Sequence, residues 1–87
     1  NNTIIWSGCY IGDHTTVEEN CFLASHAVVA CHSKLGKNCF IGLNSTILEH
    51  IKIAEYSTIG AGAVVVKNTE KGNNYVGNPA KPLTKRV

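Results

Sequence analysis

LGKNCFIGLNSTILEHIKIAEYSTIGAGAVV, residues 35–65, places a branched aliphatic side chain at every sixth position: Leu35, Ile41, Ile47, Ile53, Ile59 and Val65. The beat runs backwards without a miss through Val29, Leu23, Val17 and Ile11 to Ile5, eleven positions in all. Only 21 of the 87 residues are Ile, Leu or Val, so composition does not produce such a run. A period of six fits neither the 3.6-residue turn of a helix nor the two-residue alternation of a strand, and it marks a repeat architecture.

Aligned on that beat, each hexad position has its own chemistry. The second is small in most repeats, as at Gly12, Ala24, Gly36 and Gly42, and the fifth is Cys, Thr, Ala or Ser everywhere except Ile51. The fourth holds Gly8, His14, Asn20, His26, His32, Asn38, Asn44, His50, Tyr56, Gly62 and Asn68. Gly and Asn reach positive φ at least cost and His is also enriched there, so the fourth position reads as a corner. Short strand and corner in alternation make an all-β parallel β-helix whose aliphatic column fills the interior. Three hexads close one triangular coil, which gives three to four coils over residues 1–68 and leaves 69–87 as a short irregular tail marked by Gly72, Gly77, Pro79 and Pro82. Residues three hexads apart then lie above one another at roughly 4.8 Å.

A chain of 87 residues makes one domain with a small core, so self-association is expected to add burial. The net charge is +2, and the basic residues are scattered except for Lys81, Lys85 and Arg86, which argues against nucleic acid as a partner. Cys9, Cys21, Cys31 and Cys39 show no CxxC spacing, and three of them occupy the small fifth position. They read as small core residues of a protein kept in a reducing cytoplasm, not as a disulfide frame. Neither a signal peptide nor a membrane span is legible. The lack of any methionine and a start inside the repeat point to a processed or partial chain.

The hexad pattern, CFIGLNSTI (39–47), STIGAGAVVVKN (57–68) and YVGNPAKPL (75–83) together resemble the bacterial hexapeptide-repeat acyltransferases, and most closely the sugar O- and N-acetyltransferases. The resemblance covers about residues 5–83. It implies a left-handed coil, a homotrimer with active sites between neighbouring subunits, acetyl-CoA as donor, no metal, and an amino or hydroxyl group of a sugar or nucleotide sugar as acceptor. Handedness and trimer come from the resemblance alone, because general connection rules favour the opposite hand.

His14, His32 and His50 are each three hexads apart and fall on one edge, which Asn68 continues; His26 falls on another edge. Imidazole accepts a proton near neutral pH, so such a ladder is a place for proton transfer, although each histidine also fills a corner position. In the family the base is a histidine at the third hexad position followed by an acidic residue. Here the order is reversed: the third position is Asp13 and the fourth His14. LASHAVVACH (23–32) resembles the family segment LAxxAxLAGH, whose histidine matches His32. The resemblance thus makes His14 and His32 the candidate bases, with Asp13 orienting an imidazole. It makes the Cys31 amide the oxyanion donor, and Cys31, Leu43 and Ala61 the backbone positions along pantetheine. Lys81, with Lys85 and Arg86 nearby, would meet the coenzyme phosphates. The Cys31–His32 neighbour pair also admits a covalent acyl-enzyme.

Two other functions fit the same fold. One is a γ-type carbonic anhydrase holding zinc with three histidines across a trimer interface, although its LAHxxxVH pattern is shifted here to His26 and His32. The other is a β-helix that trimerises or binds without chemistry, which the Asp-His order and the lack of a sugar-binding N-terminal domain favour and the GAGAVV and GNPAK segments oppose.

Overall fold

The computed structural model describes residues 2–82, and all thirteen strands among them are two or three residues long. They form three walls. The first is β1 (Ile4–Ile5), β4 (Phe22–Leu23), β7 (Phe40–Ile41), β10 (Thr58–Ile59), β12 (Asn74–Val76) and β13 (Lys81–Pro82), in that order. The second is β2 (Tyr10–Ile11), β5 (Val28–Val29), β8 (Thr46–Ile47) and β11 (Val64–Val65), and the third is β3 (Thr16–Val17), β6 (Lys34–Leu35) and β9 (Lys52–Ile53). Consecutive strands in sequence lie on different walls and every third strand pairs in parallel, as Phe22 with Phe40 and Lys34 with Lys52. The result is a left-handed β-helix of about four coils. Strands of two residues carry little of the twist that makes longer crossovers right-handed, so the usual preference has no purchase here.

The eleven-member aliphatic column points inward. Leu23, Val29, Leu35, Ile41, Ile47 and Ile59 are fully buried, while Ile5 at the first coil is half exposed. The corners adopt the left-handed conformation that the fourth hexad position demands: φ lies between 56° and 63° at His14, Asn20, His26, His32, Asn38, Asn44, His50 and Tyr56. From His26 to Gly62 each corner amide donates to the coil before it, as His32 N to Asp13 O at 2.9 Å and His50 N to Cys31 O at 3.2 Å.

The fifth hexad position does more than stay small. Its side chain donates to the second-position carbonyl of the next coil: Thr15 Oγ1 to Ala30 O at 3.1 Å, Ser33 Oγ to Leu48 O at 2.9 Å, Ser45 Oγ to Gly60 O at 2.8 Å. Cys9, Cys21 and Cys39 place Sγ 3.1 Å from the carbonyls of Ala24, Gly36 and Ala54 in the same way. At these corners a partly buried carbonyl thereby gains a partner, which is what a hydroxyl or thiol adds there over plain alanine. The four cysteines are free.

Beyond Val66 the chain crosses the top of the prism. Thr69 Oγ1 accepts the Ala54 amide at 2.9 Å, and β12 stacks in parallel on β10 with Ile59 beside Tyr75. Tyr75, buried, roofs the aliphatic column, and its hydroxyl accepts the Glu70 amide at 2.6 Å. Part of the tail thus extends the first wall by one more strand before β13 turns back antiparallel.

Candidate functional site

The prism has three edges. The edge between the second and third walls carries Asp13-His14, Cys31-His32 and Glu49-His50, with Lys67-Asn68 above. The three imidazoles stand exposed in one stack, with ring centroids 4.9 Å apart for His14 and His32 at an interplanar angle of 21°, and 5.0 Å apart for His32 and His50 at 9°. The corner holds each backbone in the same conformation one coil pitch apart, so the rings inherit the pitch. His32 sits between the other two.

The sequence-predicted residues divide between two edges. His14, His32, Asp13 and Cys31 share the histidine edge. Lys81, exposed on β13, lines a cavity of about 410 Å³ with Lys67 and Asn68, which places it at the top of that edge. Leu43 and Ala61 lie on the edge between the first and second walls, stacked in adjacent coils, with the second wall between them and Cys31. His26 belongs to that edge too, its ring lying over Gly8. Lys85 and Arg86 lie outside the described residues. Among the described residues, no hydrogen bond or ion pair joins the Asp13 carboxylate to an imidazole; its backbone oxygen accepts from His32 instead. Nor is any group of three or more His, Cys, Asp or Glu there arranged to hold a metal ion.

Backbone donors are available at the third hexad position. The N–H groups of Cys31, Leu43 and Ala61 donate to no backbone group among the described residues, because the wall's hydrogen bonds are carried by neighbouring positions such as Ala30, His32, Gly42 and Gly62. Two of these amides, those of Cys31 and Ala61, lie close over a glycine. A Cβ on Gly12 would stand 2.6 Å from Cys31 N, and one on Gly42 would stand 2.7 Å from Ala61 N. These two glycines are required by close approach of the coils, not by an unusual φ. Cys31 is half-buried, whereas Cys21 and Cys39 are interior, and burial pushes the Cys39 thiol up to about 11.

Sequence reasoning missed two surfaces. Trp6, Phe22 and Phe40 stack along the first wall, with centroids 6.1 and 5.2 Å apart, making its outer face apolar. Phe22 and Phe40 were legible as large residues in the outward strand position, at three-hexad spacing; Trp6 falls just outside that register. The third wall is charged, and the lysines that look scattered in sequence converge there: Lys34, Lys37, Lys52 and Lys71 line one cavity of about 560 Å³. Only the spacing of Lys34 and Lys52 signalled it.

The comparisons with known proteins agree on the architecture. The model of the bacterial transferase hexapeptide family (six repeats) matches residues 1–31 and 32–67. Among curated proteins none matches the chain. A histidine-to-asparagine variant of perosamine N-acetyltransferase from Caulobacter crescentus, crystallised with CoA and GDP-perosamine, superposes with a TM-score of 0.94 over 95% of this chain at 24% identity. A hexapeptide transferase family protein from Anaplasma phagocytophilum superposes with a TM-score of 0.74 over 99% of this chain and 66% of its own, at 22% identity. Soybean serine acetyltransferase is 30% identical over 87% of this chain, with a TM-score of 0.60. The chain spans 40% of the length of the perosamine and soybean enzymes. A six-residue beat, left-handed corners at the fourth position of each hexad and a family match over most of its length have one reading: the chain belongs to the bacterial transferase hexapeptide family.

Proposed function

We propose that this chain forms the catalytic β-helix of a cytoplasmic, acetyl-CoA-dependent acetyltransferase that acts on an amino or hydroxyl group of a sugar or nucleotide-sugar acceptor. The observation that carries the reading is the stack of His14, His32 and His50 on one exposed edge, beside the free amide of Cys31. The acceptor's nitrogen or oxygen attacks the thioester carbonyl while His14 or His32 takes its proton. The tetrahedral oxyanion accepts a hydrogen bond from Cys31 N–H. Its collapse expels the coenzyme thiolate, which recovers a proton from the imidazolium, so the base is restored without a covalent enzyme intermediate. Asp13 stands one residue before His14 on the same edge, where it orients an imidazole once the acceptor is bound.

Leu43 and Ala61 sit on a different edge from Cys31, so one copy of the chain cannot offer all three amides to a single pantetheine arm. Two neighbouring copies can, one supplying the histidine edge and the other the Leu43/Ala61 edge. The outer faces of the first and second walls, with Trp6, Phe40, Tyr10 and Leu48 exposed, support a homotrimer built through them. Lys81 lies at the top of the histidine edge and meets the coenzyme phosphates.

The deciding experiment is an acetyl-CoA turnover screen over amino sugars and nucleotide sugars, with light scattering for the assembly. Release of CoA that depends on an acceptor and is lost in His14→Ala or in His32→Ala supports the reading and identifies the base. Turnover surviving both changes sinks the site assignment, and a monomer with full activity sinks the shared-edge arrangement.

A further inference from the structure

The charged wall adjoins the histidine edge directly. Lys34 follows His32 by two residues and Lys52 follows His50 by two, so a column of lysines runs beside the column of histidines, just past the corner. Lys34 and Lys52 are register partners in β6 and β9, stacked one coil apart. Like charges placed directly opposite on neighbouring strands repel. The single ion pair among the described residues, Lys34 to Glu18 at 4.0 Å, relieves only one of them. Across a floor of Gly36 and Ala54, Lys37 and Lys71 line the opposite bank, and Asn68 and Thr69 close the upper end. Four of the six lysines in the described residues thus converge on one cavity of about 560 Å³, with Glu18 and Glu55 as its only carboxylates.

We propose that this groove is a diphosphate subsite: the Lys34–Lys52 column, faced by Lys37 and Lys71, holds the diphosphate of a nucleotide-bearing ligand whose reacting end lies along the histidine edge. A diphosphate spans two adjacent rungs of a ladder with a 4.8 Å rise, roughly its own length, and gives each ammonium an oxygen to bond. The anion also removes the repulsion between Lys34 and Lys52. The groove's two banks and closed end define a pocket, whereas a polyanionic macromolecule needs an open basic face without the intervening carboxylates. The inference rests on the acyl-transfer reading only for what happens at the ligand's other end. Both the nucleotide of an acceptor and the coenzyme itself carry this chemistry.

The test is calorimetric binding of inorganic pyrophosphate to the full chain, the Lys34→Gln/Lys52→Gln variant and the Lys37→Gln/Lys71→Gln variant. Pyrophosphate is expected to bind the parent chain, to weaken as salt rises, and to lose at least about tenfold in affinity in the first variant. The second variant probes the opposite bank should the first fail to fold. Displacement of pyrophosphate by a nucleoside diphosphate but not by CoA assigns the groove to the acceptor; the converse assigns it to the coenzyme. No binding to the parent chain, equal binding to both variants, displacement by neither nucleotide, or tighter lysine-dependent binding of a single-stranded oligonucleotide overturns the proposal. Acetyl-CoA turnover, measured separately, keeps the two readings apart. Lysine-dependent pyrophosphate binding without turnover sinks the acyl-transfer reading alone, and turnover indifferent to these lysines sinks the subsite alone.

Discussion

The histidine edge and the asparagine edge bend the chain through the same backbone conformation with different side chains. φ is 59°, 61° and 60° at His14, His32 and His50, and 60°, 61° and 62° at Asn20, Asn38 and Tyr56. The asparagine edge, between the third and first walls, shows that a left-handed corner in this molecule is made by Asn or Tyr as well as by His. Corner geometry demands a residue that tolerates positive φ; it does not demand imidazole. Three imidazoles in one column and none in the other are therefore unexplained by the backbone, and proton transfer is the property that distinguishes them.

The largest expected effect breaks the comparison outright. Replacing His14 and His32 by Asn, singly, writes the chemistry of one edge onto the other. At whichever is the base, acetyl transfer is expected to fall by about 10²- to 10⁴-fold with thermal unfolding unchanged. Asn38→His, the reverse change on the control edge, leaves turnover as it was; if it raises turnover, the edge as a whole is not special. Next in size, Gly12→Ala drives a Cβ to 2.6 Å from Cys31 N and is expected to cost about 1–3 kcal/mol, read by denaturant unfolding.

A smaller effect separates the two edges by what lies behind them. Cys21 and Cys39 back the asparagine edge, whereas Thr15 and Ser33 back the histidine edge. The thiol of Cys39 is raised by burial from 9.0 to about 11, so between those pH values the unfolded chain releases a proton that the folded chain keeps. Stability is expected to be flat below pH 9, to fall as pH rises from there, and to level off above about 11. Cys39→Ser keeps the donor to Ala54 O and should flatten much of that slope in unfolding curves taken from pH 8 to 11; an unchanged slope assigns it elsewhere. Smallest of all, His50→Asn is expected to change stability by less than about 0.5 kcal/mol, because its imidazole is exposed and the corner accepts either residue.

Much of the fold was legible because a period of six leaves little freedom. Ile41, Ile47 and Ile53 can face one interior only if the chain turns after each of them, and the fourth-position Gly, Asn and His residues say where. The fifth position was only half legible: smallness was visible, but the donation from Ser45 to Gly60 O depends on a neighbour one coil away. At the site, the spacing of His14, His32 and His50 was enough to stack them. The same spacing puts Leu43 and Ala61, three hexads apart, on a different edge from Cys31, two hexads before Leu43; the family resemblance, which goes by hexad position alone, grouped the three together. Lys37 and Lys71 share no three-hexad register with Lys52, and Lys71 meets it only because residues 68–72 cross the top of the third wall.

What the sequence determined by itself is what recurs within a coil: the inward aliphatic column, the left-handed corners and the vertical alignment of residues three hexads apart. These follow from local backbone preference and a strict period. Only the tertiary structure decided what lies across a coil or beyond the period: the free amides poised over Gly12 and Gly42, the partners of the buried carbonyls, the roof formed by Tyr75 and the lysine groove beside the histidines. Those depend on which surfaces the closed prism and its irregular tail bring together, and contacts between residues without a common period leave no mark in the sequence that orders them.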